Sequence, residues 1–175
     1  MSISNDESNE SIYGHIYFNN IFTRLHPTKI NIDKISAQNT QQFTPKFIVG
    51  GQPSEIDLVI LSKSGIKTII NLRGDEEFND FDEKAEVEAL GMNYITIPIL
   101  GASGINNENL KLFSAAIQNK EQAFVHCASG NRVGAMFALD AYFNHKKSLK
   151  EAISIGKQSG LTRLESTVKK VIMAK

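Results

Sequence analysis

The sequence predicts an α/β fold, with a mainly parallel central sheet flanked by helices and an extra N-terminal arm. Three observations carry that expectation. From residue 46 onward, short runs rich in β-branched and aromatic residues alternate with segments of helical periodicity. Glycines, a proline and small-residue loops punctuate those runs, as they do where strands feed crossover helices. The 175 residues, 41% apolar and 22% charged, amount to about one domain with enough apolar content for a buried core.

The elements follow in order. Residues 1–11 (MSISNDESNES) form a polar tail with too little apolar content to order itself. Residues 12–45 form the arm. Tyr13, Ile16, Tyr17, Phe18, Ile21 and Phe22 are too many bulky side chains for a free tail, so the arm is expected to pack, partly irregularly, on the domain of residues 46–175. Phe47–Val49 reads as a strand ended by Gly50-Gly51. Ser54 then N-caps a helix whose stripe is Ile56, Val59 and Ile60 and which stops near Gly65. Lys67–Leu72 (KTIINL) has the β-branched character of a buried parallel strand. Asp75–Leu90 is acidic and helical in character and is closed by Gly91. Asn93–Ile99 is a strand with Pro98 at its exit. Glu108–Gln118 places Leu110, Phe113, Ala116 and Ile117 at helical spacing. Ala123–His126 is the last strand. Residues 132–174 read as two or three helices broken near Lys146 and Gly160, with Met136, Phe137 and Leu139 in the core.

Composition narrows the function. Nineteen Lys plus Arg balance nineteen Asp plus Glu, so no global field recommends nucleic acid or an anionic membrane as partner. Apolar stretches fall short of the ~18 residues of a membrane span. The N-terminus is the opposite of a secretory signal, and a cytoplasmic protein is expected. One cysteine excludes a disulfide framework and a zinc site of several thiolates. His15, His26 and His145 have no partners at ligand spacing. No metal and no cofactor are therefore expected.

The chemistry concentrates around that cysteine, in FVHCASGNRVGAMFALDAY. A strand ends at Cys127, the small-residue loop Ala128-Ser129-Gly130-Asn131 follows, and a helix starts near Arg132. Amides at a helix N-terminus lack intrahelical partners and form the positive end of its dipole. A loop of small residues lets such amides curl around one oxyanion, and the same surroundings suit a thiolate, the reactive form of cysteine. Arg132 adds a planar fork matched to two phosphate oxygens. A buried core thiol and a solvated arginine would be the plain alternative. The clustering of nucleophile, cradle and clamp favours an active loop.

The segment HCASGNRVG resembles the phosphate-binding loop of cysteine-dependent protein tyrosine and dual-specificity phosphatases. More narrowly, residues 46–170 resemble the phosphatase-like domain called beta-lactamase-hydrolase-like. The resemblance rests on three blocks in the same order: Gly51-Gln52-Pro53, Asn71-Leu72-Arg73, and Cys127, Ser129, Gly130 and Arg132. The closing SIGKQSGLT is similar to that family's C-terminal helices. The resemblance implies a dual-specificity-phosphatase-like fold and hydrolysis of phosphomonoesters through a cysteinyl-phosphate on Cys127. Arg132 and the amides of Ala128, Ser129, Gly130, Asn131 and Arg132 would hold the phosphoryl oxygens. His126 would orient the loop and help keep Cys127 ionised. The substrate would be a phosphorylated protein, phosphotyrosine included, or a small phosphomonoester.

Two departures keep alternatives open. Four residues separate Cys127 from Arg132, where phosphatases of this type have five, and Val133 stands where their arginine would. That spacing fits the beta-lactamase-hydrolase-like pattern and also rhodaneses, whose loop holds a cysteine persulfide. Phosphatases supply a leaving-group acid after the preceding strand, yet Ile99–Asn107 (ILGASGINN) contains none. Glu108 follows it as a first-turn helix residue. Asp75, Glu76 and Glu77 lie beyond the neighbouring strand end. Asp75 is the preferred donor, with a helix N-cap as its alternative role. A sulfurtransferase or a catalytically weak phosphate-binding module are the competing readings. Arg73 either adds positive potential beside the anion site or pairs with Glu76, Glu77 or Glu83.

Overall fold

The computed structural model describes residues 31–77, 79–118 and 121–174. The expectations for the polar tail and for residues 12–30 of the arm lie outside the described residues. Five strands, β1 (Gln41–Gln42), β2 (Phe47–Gly50), β3 (Thr68–Asn71), β4 (Asn93–Thr96) and β5 (Ala123–His126), form one sheet in the order β1-β2-β5-β3-β4. Only β1 runs antiparallel, with Gln41 opposite Val49. Among the described residues the α-helices are α1 (Glu55–Lys63), α2 (Glu83–Ala89), α3 (Asn107–Ile117), α4 (Asn131–Phe143), α5 (Leu149–Gln158) and α6 (Glu165–Met173). This is the α/β sandwich that the alternating pattern predicts.

Strand periodicity of two sorts side chains between two core layers. On one face Phe47, Val49, Ile70 and Val125 meet α3–α6, and the rings of Phe43, Phe47 and Phe113 surround Phe137 at 4.8–5.5 Å. On the other face Ile48, Ile69 and Phe124 meet Leu58, Leu61 and Val87 of α1 and α2. Residues Ile35 and Ala37 join this second layer, and Phe43 joins the first. No described helix is long and apolar enough to cross a membrane.

Register positions the site. Gly50 pairs with His126, His126 with Asn71, and Asn71 with Thr96, so four parallel strands end in one row. The loops after them therefore open along one edge, where the ligands of open parallel sheets bind.

Two expected elements need correction. The helix over Asp75–Leu90 shrinks to Glu83–Ala89, capped by the Asp82 side chain accepting from the Ala85 amide at 3.1 Å. Residues 75–77 instead form a turn in which Glu77 folds back onto the Gly74 amide at 2.9 Å, so Asp75 caps no helix. The stripe of α1 is also rotated. Leu58 and Leu61 are buried and Ile56 is 73% exposed. The reason is Asp57, which completes a capping box with Ser54 and also accepts from the amide and hydroxyl of Ser36 at 2.7 and 2.8 Å. That buried carboxylate fixes which side of α1 faces the sheet. The C-terminal breaks fall where expected, at Lys146 (φ 53°) and Gly160 (φ 113°).

Candidate active site

Strand β5 delivers Cys127 to the row of strand ends, where it is 1% exposed and unpaired with any other cysteine. Gly130 follows at φ 91°, a left-handed turn open to glycine, and starts α4. The turn aims the Gly130 amide at Cys127 Sγ, 3.1 Å away.

The loop carbonyls are tied down on the opposite side. Ala128 O accepts from the Gln52 amide at 3.3 Å, and Ser129 O accepts from Asn39 Nδ2 at 2.9 Å. In a trans peptide the C=O and the next N–H point in opposite directions. Fixing the carbonyls of residues 128 and 129 outward therefore turns the amides of Ser129 and Gly130 inward, toward the sulfur. Gly51 allows this strap, since a Cβ there would lie 2.6 Å from Ala128 O. From below, Gly160 lies against Gly130, and a Cβ on it would come 2.7 Å from Gly130 O. The side chain of Asn131 accepts from the amides of Thr162 and Leu164 at 2.9 and 3.3 Å. The SGLT segment thus braces the loop.

Arg132, in the first turn of α4, has five N–H donors. Nη1 donates to Glu77 Oε1 at 2.5 Å and to Ile99 O at 3.0 Å, and Nη2 donates to Glu77 Oε2 at 2.8 Å. The Nε–H and the second Nη2–H remain, on one edge of the guanidinium plane. Two donors on one edge fit two oxygens of a tetrahedral oxyanion. The Glu77 hydrogen bonds push the Arg132 pKa up against the opposing effect of burial, and the neighbouring Cys127 adds to the rise. In return the Arg132 hydrogen bonds, with Gly74 and Arg73 assisting, hold Glu77 at about 2 against the cost of burial.

Arg73 takes the pairing that the sequence allows with Glu77. Its Nε donates to Glu77 Oε2 at 3.1 Å and its Nη1 to Gln52 Oε1, so it is paired and shares the Glu77 carboxylate with Arg132. Asn71 anchors that turn, with Oδ1 accepting from the Arg73 amide at 2.8 Å and Nδ2 donating to Tyr94 Oη at 2.8 Å. His126 is fully buried beneath the loop, its Nε2 2.8 Å from Glu83 Oε1 in a close but poorly aligned contact. Its Nδ1 lies 3.4 Å from Cys127 O. Burial, with Asn71 opposing, pushes the Tyr94 hydroxyl up to about 12.

The sequence-predicted residues Cys127, Ala128, Ser129, Gly130, Asn131, Arg132, His126 and Arg73 are brought together. Asp75 is exposed on the same turn as Glu77 and, among the described residues, bonds to neither Cys127 nor Arg132. Glu108 is exposed in the first turn of α3. Sequence reasoning weighed Glu77 only as a proton donor or an Arg73 partner, and missed Asn39 and the bracing by residues 160–164. Among the described residues no group of three His, Cys, Asp or Glu side chains is arranged to hold a metal.

A family model described as DSP-PTPase phosphatase fused to NAD+ kinase (PTP-NADK) matches residues 18–172. The beta-lactamase hydrolase-like protein of Xylella fastidiosa (strain Temecula1) is 30% identical over 121 residues, 66% of this chain and 28% of its own length. The chain thus spans little over a quarter of that relative. Two crystal structures carrying phosphatase assignments share the fold. A DUF442 protein of Shewanella putrefaciens CN-32 is 22% identical at a TM-score of 0.62, covering 79% of this chain and 88% of its own. A protein of Neisseria meningitidis z2491 is 19% identical at a TM-score of 0.63, covering 77% and 96%.

Proposed function

The chain belongs to the family of DSP-PTPase phosphatases fused to NAD+ kinase, and from that premise we propose that it hydrolyses phosphomonoesters through a cysteinyl-phosphate on Cys127. The observation that supports this reading best is the donor inventory of Arg132. Three of its N–H groups are engaged by Glu77 and Ile99, and a two-pronged edge remains beside the sulfur.

The Cys127 thiolate attacks phosphorus, forming an S–P bond as the P–O bond to the organic group breaks. The free edge of Arg132 and the inward amides of the loop hold the equatorial oxygens, where charge redistributes in the transition state. The departing oxygen leaves with the electron pair and takes up a proton. Water then attacks the phosphorus and returns a proton to the donor, the S–P bond breaks with its electron pair going to sulfur, and inorganic phosphate and the thiolate are released. Glu77 is ionised throughout the neutral range and so is the positioner of Arg132 rather than the proton donor. Asp75, exposed on the same turn, is the donor in this scheme. His126 acts through the loop backbone by holding the Cys127 carbonyl end of β5. The substrate class is a phosphorylated protein, phosphotyrosine included, or a small phosphomonoester.

The test is turnover of p-nitrophenyl phosphate by the parent and by Cys127→Ser. A hydroxyl is nearly isosteric with the thiol but far less ionised, so turnover should vanish while the melting temperature holds. Retained activity in that variant would end the covalent mechanism.

A further inference from the structure

We infer that Leu100 is a specificity-determining residue: an apolar lip that packs on the organic group of the bound phosphomonoester and favours aryl over small polar esters. The inference rests on the reading of Cys127 and Arg132 as a phosphate site and names the class of ester that site selects.

A single exposed leucine is ordinary. The placement of this one is not, because it closes a ring of contacts around the clamp. Arg132 Nη1 donates to Ile99 O, the carbonyl directly preceding Leu100. Arg132 also binds Glu77, Glu77 accepts from the Gly74 amide, and Leu100 Cδ2 lies over Gly74, where an added Cβ would stand only 2.6 Å from it. Leu100 is thus one residue from a group that holds the guanidinium, on the rim of the strand-end row, and is nonetheless 61% exposed. Its backbone is fixed, since Leu100 O accepts from the Gly104 amide at 3.1 Å and from Ser103 Oγ at 3.0 Å.

In-line displacement at phosphorus puts the leaving group opposite Cys127 Sγ, so the ester's organic part points out of the loop toward this rim. There, the segment that would carry an acid offers an isobutyl group instead. Covering Leu100 with a flat ring removes apolar surface from water on both partners. A glycerol or sugar phosphate would gain nothing from the same contact and would set hydroxyls against it. Glycine at position 74 fits this picture, because it leaves room for Leu100 Cδ2 where an added Cβ would stand 2.6 Å away.

The experiment measures binding in the Cys127→Ser background, where no turnover confuses the result. Calorimetric titrations with phenyl phosphate, glycerol phosphate and inorganic phosphate are compared with and without Leu100→Ala. The expected result is a roughly fivefold weaker phenyl phosphate, with glycerol phosphate and inorganic phosphate within twofold of the parent. In the active enzyme the same substitution raises KM for p-nitrophenyl phosphate and leaves kcat nearly unchanged. A Leu100→Met control, apolar and similar in volume, restores phenyl phosphate binding. Equal weakening of all three ligands, or of none, overturns the role of Leu100 while leaving the phosphate site standing. Failure of every ligand to bind the Cys127→Ser protein overturns the phosphate site itself, and the lip with it.

Discussion

The loop after β5 and the loop after β4 lie on the same edge of the sheet and are built in opposite ways. Between Cys127 and Arg132 the backbone is buried or half-buried over most of its length and is held by distant segments: Gln52, Asn39, Gly160 and, through Arg132, Glu77. Residues 100–103 are exposed and are held mainly by their own neighbours, as in Asn106 Nδ2 to Ser103 O at 2.9 Å and the Ile105 amide to Ala102 O at 3.2 Å. The Cys127–Arg132 loop is thus held in place by distant segments, whereas the loop after β4 has no comparable support. Preorganised donors stabilise transition-state charge without reorganisation, so the rate should depend steeply on the first region and weakly on the second.

The steepest break in that contrast is Arg132→Lys. An ammonium keeps the charge but loses both the Glu77-bound fork and the free two-pronged edge. We expect kcat/KM for p-nitrophenyl phosphate to fall about 10²- to 10³-fold, with weaker inhibition by vanadate. Parent-like kinetics would mean that Arg132 does not clamp phosphate.

Glu77→Gln sharpens the comparison one step further out. The amide offers one acceptor and no charge to two guanidiniums, so Arg132 loses its planar support. A drop of roughly tenfold to a hundredfold is expected in kcat/KM, since small misplacements of a positioning group cost that much. Stability supplies an independent check. The folded-state pKa of Glu77, about 2, lies below the ordinary carboxylate value of 4.5. Its contribution is therefore complete above that ordinary value and fades as pH falls through about 2. In urea melts the stability gap between the parent and Glu77→Gln should be widest near neutrality and narrow from pH 5 to pH 2. A gap that is constant with pH would show the pairing to be energetically idle.

Gly160→Ala tests the brace from below. Its φ of 113° is a region that L side chains rarely adopt, and the new Cβ would press on Gly130 O. A loss of about 1–3 kcal/mol of stability is expected, with a smaller fall in activity. Unchanged melting and kinetics would mean that the loop holds its shape without residues 159–164.

How much of this was legible in sequence depends on how far each interaction reaches along the chain. The geometry of the Cys127–Arg132 loop is a local pattern, with strand end, small residues, arginine and helix start in one stretch, and it reads directly. The alternation from residue 46 onward gave the sheet for the same reason. Glu77 was visible as an acid but not as the support of Arg132, because its partner lies 55 residues away. Asn39 reaches across 90 residues to Ser129 and carries no motif at all. The stripe of α1 was misread because periodicity counts apolar letters, while the rotation of that helix is set by a buried aspartate with hydroxyl and amide partners. The acidic run from Asp75 was read as one helix because composition cannot distinguish acids in a first helical turn from an acid folded back onto arginines.

The weakest expected effect belongs to the exposed side of the comparison and decides between chemistries. If Asp75 is the proton donor, Asp75→Asn should slow esters with poor leaving groups by several-fold and leave p-nitrophenyl phosphate almost untouched, because a phenolate of low pKa departs without protonation. Glu108→Gln should change neither, since that side chain only complements the positive end of α3. Equal effects of Asp75→Asn on good and poor leaving groups would remove Asp75 from the mechanism. The parent should show the same logic, with aryl phosphates turned over much faster than alkyl phosphates. The four-residue spacing of Cys127 and Arg132 gives the contrary outcome a definite form. A persulfide carrier would move sulfur from thiosulfate to cyanide through Cys127 and ignore every ester, leaving-group pKa included. Sulfur transfer without ester hydrolysis would therefore overturn the phosphatase reading. Neither activity, with inorganic phosphate still bound, would reduce the site to a binding module in which the cradle survives and the acid was never needed.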